Sequence, residues 1–338
     1  MGGRRGRDRL AKPRAAHRDK PGGMGGMALR IGTRGSPLAL AQTRQVRALL
    51  ASAHGCGEER FEIVVIKTSG DMIQDRALAE AGGKGLFTKE IDAAMLAGEI
   101  DAAVHSSKDL PTLLPEGIAI AGYLPREDVR DALISARADS IAALPQGATL
   151  GTASLRRQAQ VKRLRPDIVP SLLRGNVETR LRKAETGEID ATLLAYAGLK
   201  RLGLAHRVTA LLDIADFLPA VGQGAIGVTA RTGDAAARAS LGPILDEATG
   251  HALAAERAFL AELDGSCRTP IAGHARLIAG SLTFRGMVLR EDGSETYEIE
   301  ASGNVADAGA CPVASSRIGV RLARVAASPV RAVTPMAP

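Results

Sequence analysis

ATLGTASLRRQAQVKRLRPDIVPSLLRGNVETRL, residues 148–181, decides the fold. An apolar run ends in Gly151-Thr152, Ser154 stands at the entry of a helical stretch, and Pro166 stops that stretch. A second apolar run, DIVPSLL, then leads into another helix from about Asn176. Strand, turn and helix in this order, with Ser or Asn at the helix entry and Pro at the exit, specify an α/β unit. The same arrangement occurs earlier, in ALRIGTRGSPLALAQ, residues 28–42: a strand, Gly32-Thr33, Ser36 as N-cap, Pro37 at the first helical position, and a helix to about Ala53. Each copy points unpaired backbone N–H groups and the positive end of a helix dipole at one spot. Two such units facing each other predict an anion site in a cleft between two α/β domains.

Working outward, FEIVVIKT from Phe61 is almost continuously apolar and predicts a buried strand. Gly82 to Gly85 predict a glycine loop before a helix on which Phe87, Ile91 and Met95 form one apolar face. IDAAVHS from Ile100 is a short strand running into a loop closed by Pro111. Beyond Asp131 the second unit continues with DATLLAY as a strand and AGLKRLG as a helical turn, and LPAVGQGAIGV from Leu218 takes the chain back to the first domain. A helix from about Thr249 to Leu263, the turn DGSC and the alternating GHARLIAGSLTFRGMVL predict a small α+β third domain. The expected division is 27–124 with 225–242, then 125–224, then 243–338, preceded by an extension over 1–26.

The chain has 338 residues, enough for two or three domains, and no run approaches the roughly 18 apolar residues of a membrane helix. The net charge of +7 suggests nucleic acid, but Met1 to Gly26 carries eight Lys and Arg against Asp8 and Asp19, leaving the rest nearly neutral. With aromatics at 2% and no tryptophan, stacking platforms for bases are hard to build. The first segment has no apolar stretch and is not read as a secretory signal. MALRIGTRGS from Met27 looks like a true start, with an expressed basic arm as the alternative. Cys56, Cys267 and Cys311 are odd in number and lack CxxC spacing, which fits a reducing compartment. The histidines show no ligand spacing, so no metal site is expected.

Arg156, Arg157, Arg174 and Arg180 are concentrated on ordered elements, and Arg34, Lys84, Lys108 and Arg201 stand in similar contexts. Alone, each reads as a solvated helix face; together they predict the grip for a small polycarboxylate. Cys267, in a Gly-Ser turn after a helix, reads either as a small buried hydrophobe or as the tether of a covalent group. Asp109, beside Lys108 in VHSSKDLP, reads either as a surface ion pair or as a carboxylate that stabilises developing positive charge.

TRGSPLALAQ, GGKGLFTKE, AVHSSKDLP, GTASLRRQ, LRGNVETRL, AGLKRLG, LPAVGQGA and LDGSCRTP follow one another in an order and at a spacing that resemble the porphobilinogen deaminase family. The resemblance runs from Met27 to the hairpin past Arg285. It implies two α/β domains folded like type II periplasmic binding proteins, linked by hinges, and a small α+β C-terminal domain. It implies a dipyrromethane cofactor joined by a thioether to Cys267, onto which four porphobilinogen units are condensed head to tail with loss of ammonia to give hydroxymethylbilane. By residue, it implies Asp109 as the catalytic carboxylate. Lys84, Ser106, Lys108, Ser154, Arg156 and Arg157 would hold the cofactor, and Arg34, Ser36, Gln42, Arg174, Arg180 and Arg201 the substrate. Phe87 is expected in the core. A cytoplasmic monomer with no nucleic-acid or membrane partner is implied as well.

The chain departs from the family pattern at Glu80, where Lys is frequent, at Ala153, which lacks a hydroxyl, and at Ser266, where Gly is common. Its tail also lacks the expected final helix. The alternative function, a non-catalytic anion-binding protein of the same architecture, would need neither Cys267 nor Asp109.

Overall fold

A computed structural model describes residues 29–72, 85–263 and 270–304. The first sheet takes its strands from β1 (Leu29–Arg34), β2 (Phe61–Ile66), β3 (Ala102–Ser106) and β4 (Ile118–Tyr123). The second takes β5 (Asp131–Ile134), β6 (Thr149–Gly151), β7 (Val169–Ser171), β8 (Ala191–Ala195) and β9 (Ala210–Leu211). The chain then returns, and β10 (Ile226–Arg231) joins the first sheet in the order β2-β1-β3-β10-β4. The second sheet is ordered β7-β6-β8-β5-β9. Both orders are one pattern: three parallel strands, then an antiparallel strand that arrives across the domain boundary, then an edge strand.

The helices are α1 (Pro37–His54), α2 (Ser69–Met72), α3 (Lys89–Leu96), α4 (Leu155–Leu164), α5 (Val177–Glu185), α6 (Tyr196–Arg201), α7 (Ala235–Leu241) and α8 (Glu247–Glu262). Helix α1 starts where Ser36 accepts the Ala39 N–H and Pro37 presets φ, and it buries Val46 and Leu50 against Ile31 and Val228 of the sheet. Each such aliphatic side chain contributes about 1.5–3 kcal/mol by leaving water. Helix α3 begins at Lys89 with Ile91 and Met95 fully buried, so Phe87 precedes it and is not part of its apolar face. Among the described residues no helix is long and apolar enough to cross a membrane.

The third sheet is antiparallel, β11 (Ile271–Ile278), β12 (Ser281–Leu289) and β13 (Thr296–Asn304). Its first turn, Ala279-Gly280, has φ of 49° and 81°, the doubly left-handed geometry whose twist matches a two-residue hairpin. Phe259 of α8 packs edge-on to Phe284 of β12, with ring centroids 5.0 Å apart.

A buried ion pair joins all three parts. Arg126, on the first crossover, binds Glu256 of α8 at 2.6 and 3.1 Å, and Glu256 also accepts the N–H groups of Gly222 and Ala275. Gly222, on the returning crossover, has φ of 75°, and a Cβ there would lie 2.8 Å from Ser107 Oγ and 3.0 Å from Lys108 N. Only glycine allows the crossover to touch that turn. The backbone at Ser107 and Lys108 is thereby held against the returning crossover.

Candidate active site

The parallel strands of both sheets end toward the same cleft, the usual ligand position in open α/β sheets. Arg34 is the last residue of β1, and Ser106 the last of β3, followed by the tight turn Ser107–Asp109. Ser154 and α4 follow β6, Arg174 follows β7, and Arg180 lies on α5. Arg34 and Ser106 come from strand ends, Ser154 and Arg174 from the loops after strands, and Arg156, Arg157 and Arg180 from the first turns of α4 and α5.

On the first wall, Arg34 stands 3.9 Å from Asp109, and its guanidinium carbon lies 4.0 Å from the centre of the Phe87 ring. Phe87 is half-buried and lines a cavity with Arg34, Ser36, Gln42, Ser106 and Asp109, so the core position expected for it is corrected to the site. Its ring fills the space beside Gly70, where a Cβ would come within 2.5 Å of two ring carbons. Gln42, buried on α1, exchanges hydrogen bonds of 3.0 and 3.1 Å with Ser106 Oγ. Beneath them His105 is pushed down to about 4 by burial and then by Arg34, and its Nε2 pairs with Thr229 Oγ1 at 3.1 Å. It is neutral and adds no competing charge.

On the second wall, Ser154 caps α4 by accepting the Arg157 N–H at 3.4 Å. Both serines of the repeated motif therefore act as N-caps and retain a hydroxyl proton to donate. Arg156 and Arg157 bind the fully buried Asp131, at 2.8 and 2.7 Å. Burial opposes the charge on Asp131, but the two guanidinium groups win and hold its carboxyl well below the usual range, at about 2. Arg156 also donates to the Leu218 carbonyl at 2.8 Å, while its Nε is buried with no hydrogen-bond partner among the described residues. Arg180 is lowered to about 10 by burial, then by Arg157 and Arg174, with Asp109 pulling the other way.

Lys108 links the walls. Its side chain reaches solvent, yet it stands deep enough in the cleft for desolvation to lower its amine to about 8. Arg157 and Arg156 lower it further while Asp109 and Asp131 oppose them. One carboxylate, Asp109, thus sits among Arg34, Lys108 and the Arg157–Arg174–Arg180 group. Such mutual crowding of cations is relieved by an anionic ligand. A polycarboxylate fits this donor set.

Comparison with known proteins gives the family. A family model described as "Porphobilinogen deaminase, dipyromethane cofactor binding domain" matches residues 29–239, and its C-terminal domain model matches residues 251–318. The chain belongs to the porphobilinogen deaminase family. A porphobilinogen deaminase of Nitrobacter hamburgensis is 58% identical over 287 residues, covering 85% of this chain and 91% of that one. One from Nitrobacter winogradskyi is 59% identical over 280 residues, covering 83% and 89%. Among solved structures, the periplasmic aliphatic sulphonate binding protein SsuA from Escherichia coli is similar at 17% identity, over 71% of each chain, with a TM-score of 0.40. As a porphobilinogen deaminase family member the chain is a transferase that uses a dipyrromethane cofactor.

Not every residue expected at this deaminase site gathers there. Arg201, at the end of α6, donates to the Gly224 carbonyl at 2.8 Å and is lowered by burial, so it grips the returning crossover. Lys84 and Cys267, with Glu80 and Ser266, lie outside the described residues. Asp131 was missed in the sequence, although a lone acid opening the apolar strand DALI is a signal, since a buried Asp needs partners. The wider cavity of about 340 Å³ lined by Arg126 to Arg130, Asp213 and Ile214 lies at the crossovers, and its Arg126 and Arg130 are already paired with Glu256 and Asp128. Among the described residues no group of three His, Cys, Asp or Glu could hold a metal ion.

Proposed function

We propose that Asp109 is the catalytic carboxylate of this porphobilinogen-condensing transferase, and that the surrounding cations hold the acetates and propionates of cofactor and substrate. Lys108, Ser106, Ser154, Arg156 and Arg157, with Lys84, take the cofactor side chains, and Cys267 carries the thioether. Arg34, Ser36, Gln42, Arg174 and Arg180 take the substrate and the lengthening chain. What carries the reading is Asp109 itself, a carboxylate 3.9 Å from Arg34 and near enough to Lys108 and Arg180 to act on the charge of both.

The reaction asks for that arrangement. When the C–N bond of the aminomethyl group breaks, its electron pair leaves with nitrogen as ammonia, and the substrate becomes an electron-poor methylene pyrrolenine. The dipyrromethane would supply the nucleophilic pyrrole α-carbon, whose C–H bond is replaced by the new C–C bond with release of the proton. Positive charge develops on pyrrole nitrogen at each stage, and Asp109 accepts the N–H hydrogen bond and stabilises that charge electrostatically. Arg34 orients Asp109 and binds a ring carboxylate. Charge-assisted hydrogen bonds of about 1.5–3 kcal/mol each hold the remaining carboxylates.

The division into 27–124 with 225–242, 125–224, and 243–338 is part of this proposal, as is a cytoplasmic monomer acting on a small molecule alone. Intact mass spectrometry with peptide mapping tests the core of it. The expected result is a mass excess of two linked porphobilinogen-derived units on the Cys267 peptide. A Cys267 that stays unmodified after incubation with porphobilinogen would exclude the activity.

A further inference from the structure

The two arginines at the start of α4 are nearly fully buried, at 5% and 6% exposure, where unpaired guanidinium groups do not persist. One carboxylate answers for both. Asp131 Oδ2 accepts from Arg156 Nη2 at 2.8 Å, and Oδ1 accepts from Arg157 Nε and Nη2 at 3.1 and 2.7 Å and from Gln223 Nε2 at 3.2 Å. Three of those four bonds crowd onto Oδ1 and one falls on Oδ2, so the carboxylate is engaged at both oxygens. Each guanidinium has five N–H donors, so both arginines keep donors to spare after Asp131 and Leu218 are served. Two cations share one anion, and a fixed positive surplus remains.

We propose that Asp131 is a positioning residue: its buried carboxylate clamps Arg156 and Arg157 side by side, aimed into the cleft, before any ligand arrives. Gln223 extends the clamp to the returning crossover, because the same amide nitrogen donates to the Val129 carbonyl at 2.8 Å while its own backbone carbonyl accepts from Arg126. The side chain of Asp131 thus sits where β5, α4 and both crossovers meet. Holding the donors in place beforehand removes the rotamer entropy that a ligand carboxylate would otherwise have to offset. The assignment rests on the proposed cofactor role of Arg156 and Arg157.

Cofactor-free wild-type chain and its Asp131→Asn variant are incubated with porphobilinogen, and the two-unit adduct is followed by intact mass. Asn keeps the shape but removes the charge. The variant is expected to load about tenfold more slowly, equivalent to about 1.4 kcal/mol, the loss of one charge-assisted hydrogen bond. Its melting temperature is expected to gain less from loading than the wild type's, because a group the folded state holds less tightly stabilises it less. A variant that loads at the wild-type rate, or that loses equal stability loaded and unloaded, overturns the assignment and leaves Asp131 a structural counter-ion. A wild-type chain that takes up no adduct overturns the deaminase reading together with the assignment. If Asp131→Asn does not fold, the cofactor-free wild type decides. The Arg157 Nε–H signal, identified by its loss in Arg157→Lys, is expected to exchange slowly with water, and exchange as fast as in free arginine overturns the clamp.

Discussion

On the wall built from β1 and β3, Arg34 and Asp109 stand 3.9 Å apart with 21% and 35% of their side chains open to solvent. On the wall built from β6 and α4, Arg156 and Arg157 close on Asp131 at 2.8 and 2.7 Å, and that carboxylate has no exposure at all. Both walls descend from one sequence pattern, a strand, Gly-Thr, a capping serine and a helix. They differ in where the acid lies. An acid in water at 3.9 Å from its partner gains little from the pair and is free to serve a passing charge. An acid buried between two guanidinium groups is committed, since removing either partner leaves an uncompensated charge. The first wall is arranged for chemistry and the second for grip.

Asp109→Ala would break this contrast most visibly. The chain is expected to keep its circular dichroism spectrum, because the pair it loses is an exposed one. Its kcat is expected to fall about a hundred- to a thousandfold, the scale for removing one preorganised electrostatic group from a transition state. Near-normal turnover in steady-state assays would take the chemistry off the first wall.

The same contrast explains what could be read from the sequence. The paired strand–serine–helix units were legible because caps and prolines are local signals, and Ser36, Ser154 and Asn176 all cap helices as their positions imply. The positions of Arg34, Asp109 and the α4 arginines followed, since strand ends face the cleft. Asp131 and Glu256 were not legible as anchors, because their partners lie 25 and 26 residues and 130 residues away in the chain and only packing brings them together. Phe87 was assigned to the core from helical spacing, yet α3 begins two residues later, and the ring instead faces a guanidinium. Arg201 looked like its neighbours in composition, but its place at the end of α6 turns it to the crossover.

Lys108 sharpens the comparison because it stands on the first wall and feels the second. Burial and Arg157 bring its amine down to about 8. It carries its charge below that pH and loses it above, so anion binding is favoured on the acidic side. A bound carboxylate raises the value again and widens the working range. The rate at which the cofactor-free chain takes up the two-unit adduct is expected to be level near pH 7 and to fall toward about tenfold per unit well above pH 8, as the charged fraction falls. Lys108→Arg, which stays protonated, is expected to remove that fall even where the substrate's own amine titrates. Equal pH profiles for the two proteins would show that the field of the second wall does not reach the first.

Phe87→Leu is expected to give the smallest effect and isolates the exposed side of the contrast. The ring holds Arg34 from below at 4.0 Å and is itself seated beside Gly70. A cation–π contact at a half-open site contributes about 0.5–1 kcal/mol, so KM is expected to rise by no more than about fivefold with kcat little changed. Phe87→Tyr keeps the π face and should restore the wild-type value. If instead kcat falls and Tyr does not restore it, the ring is shaping the reacting centre rather than holding Arg34.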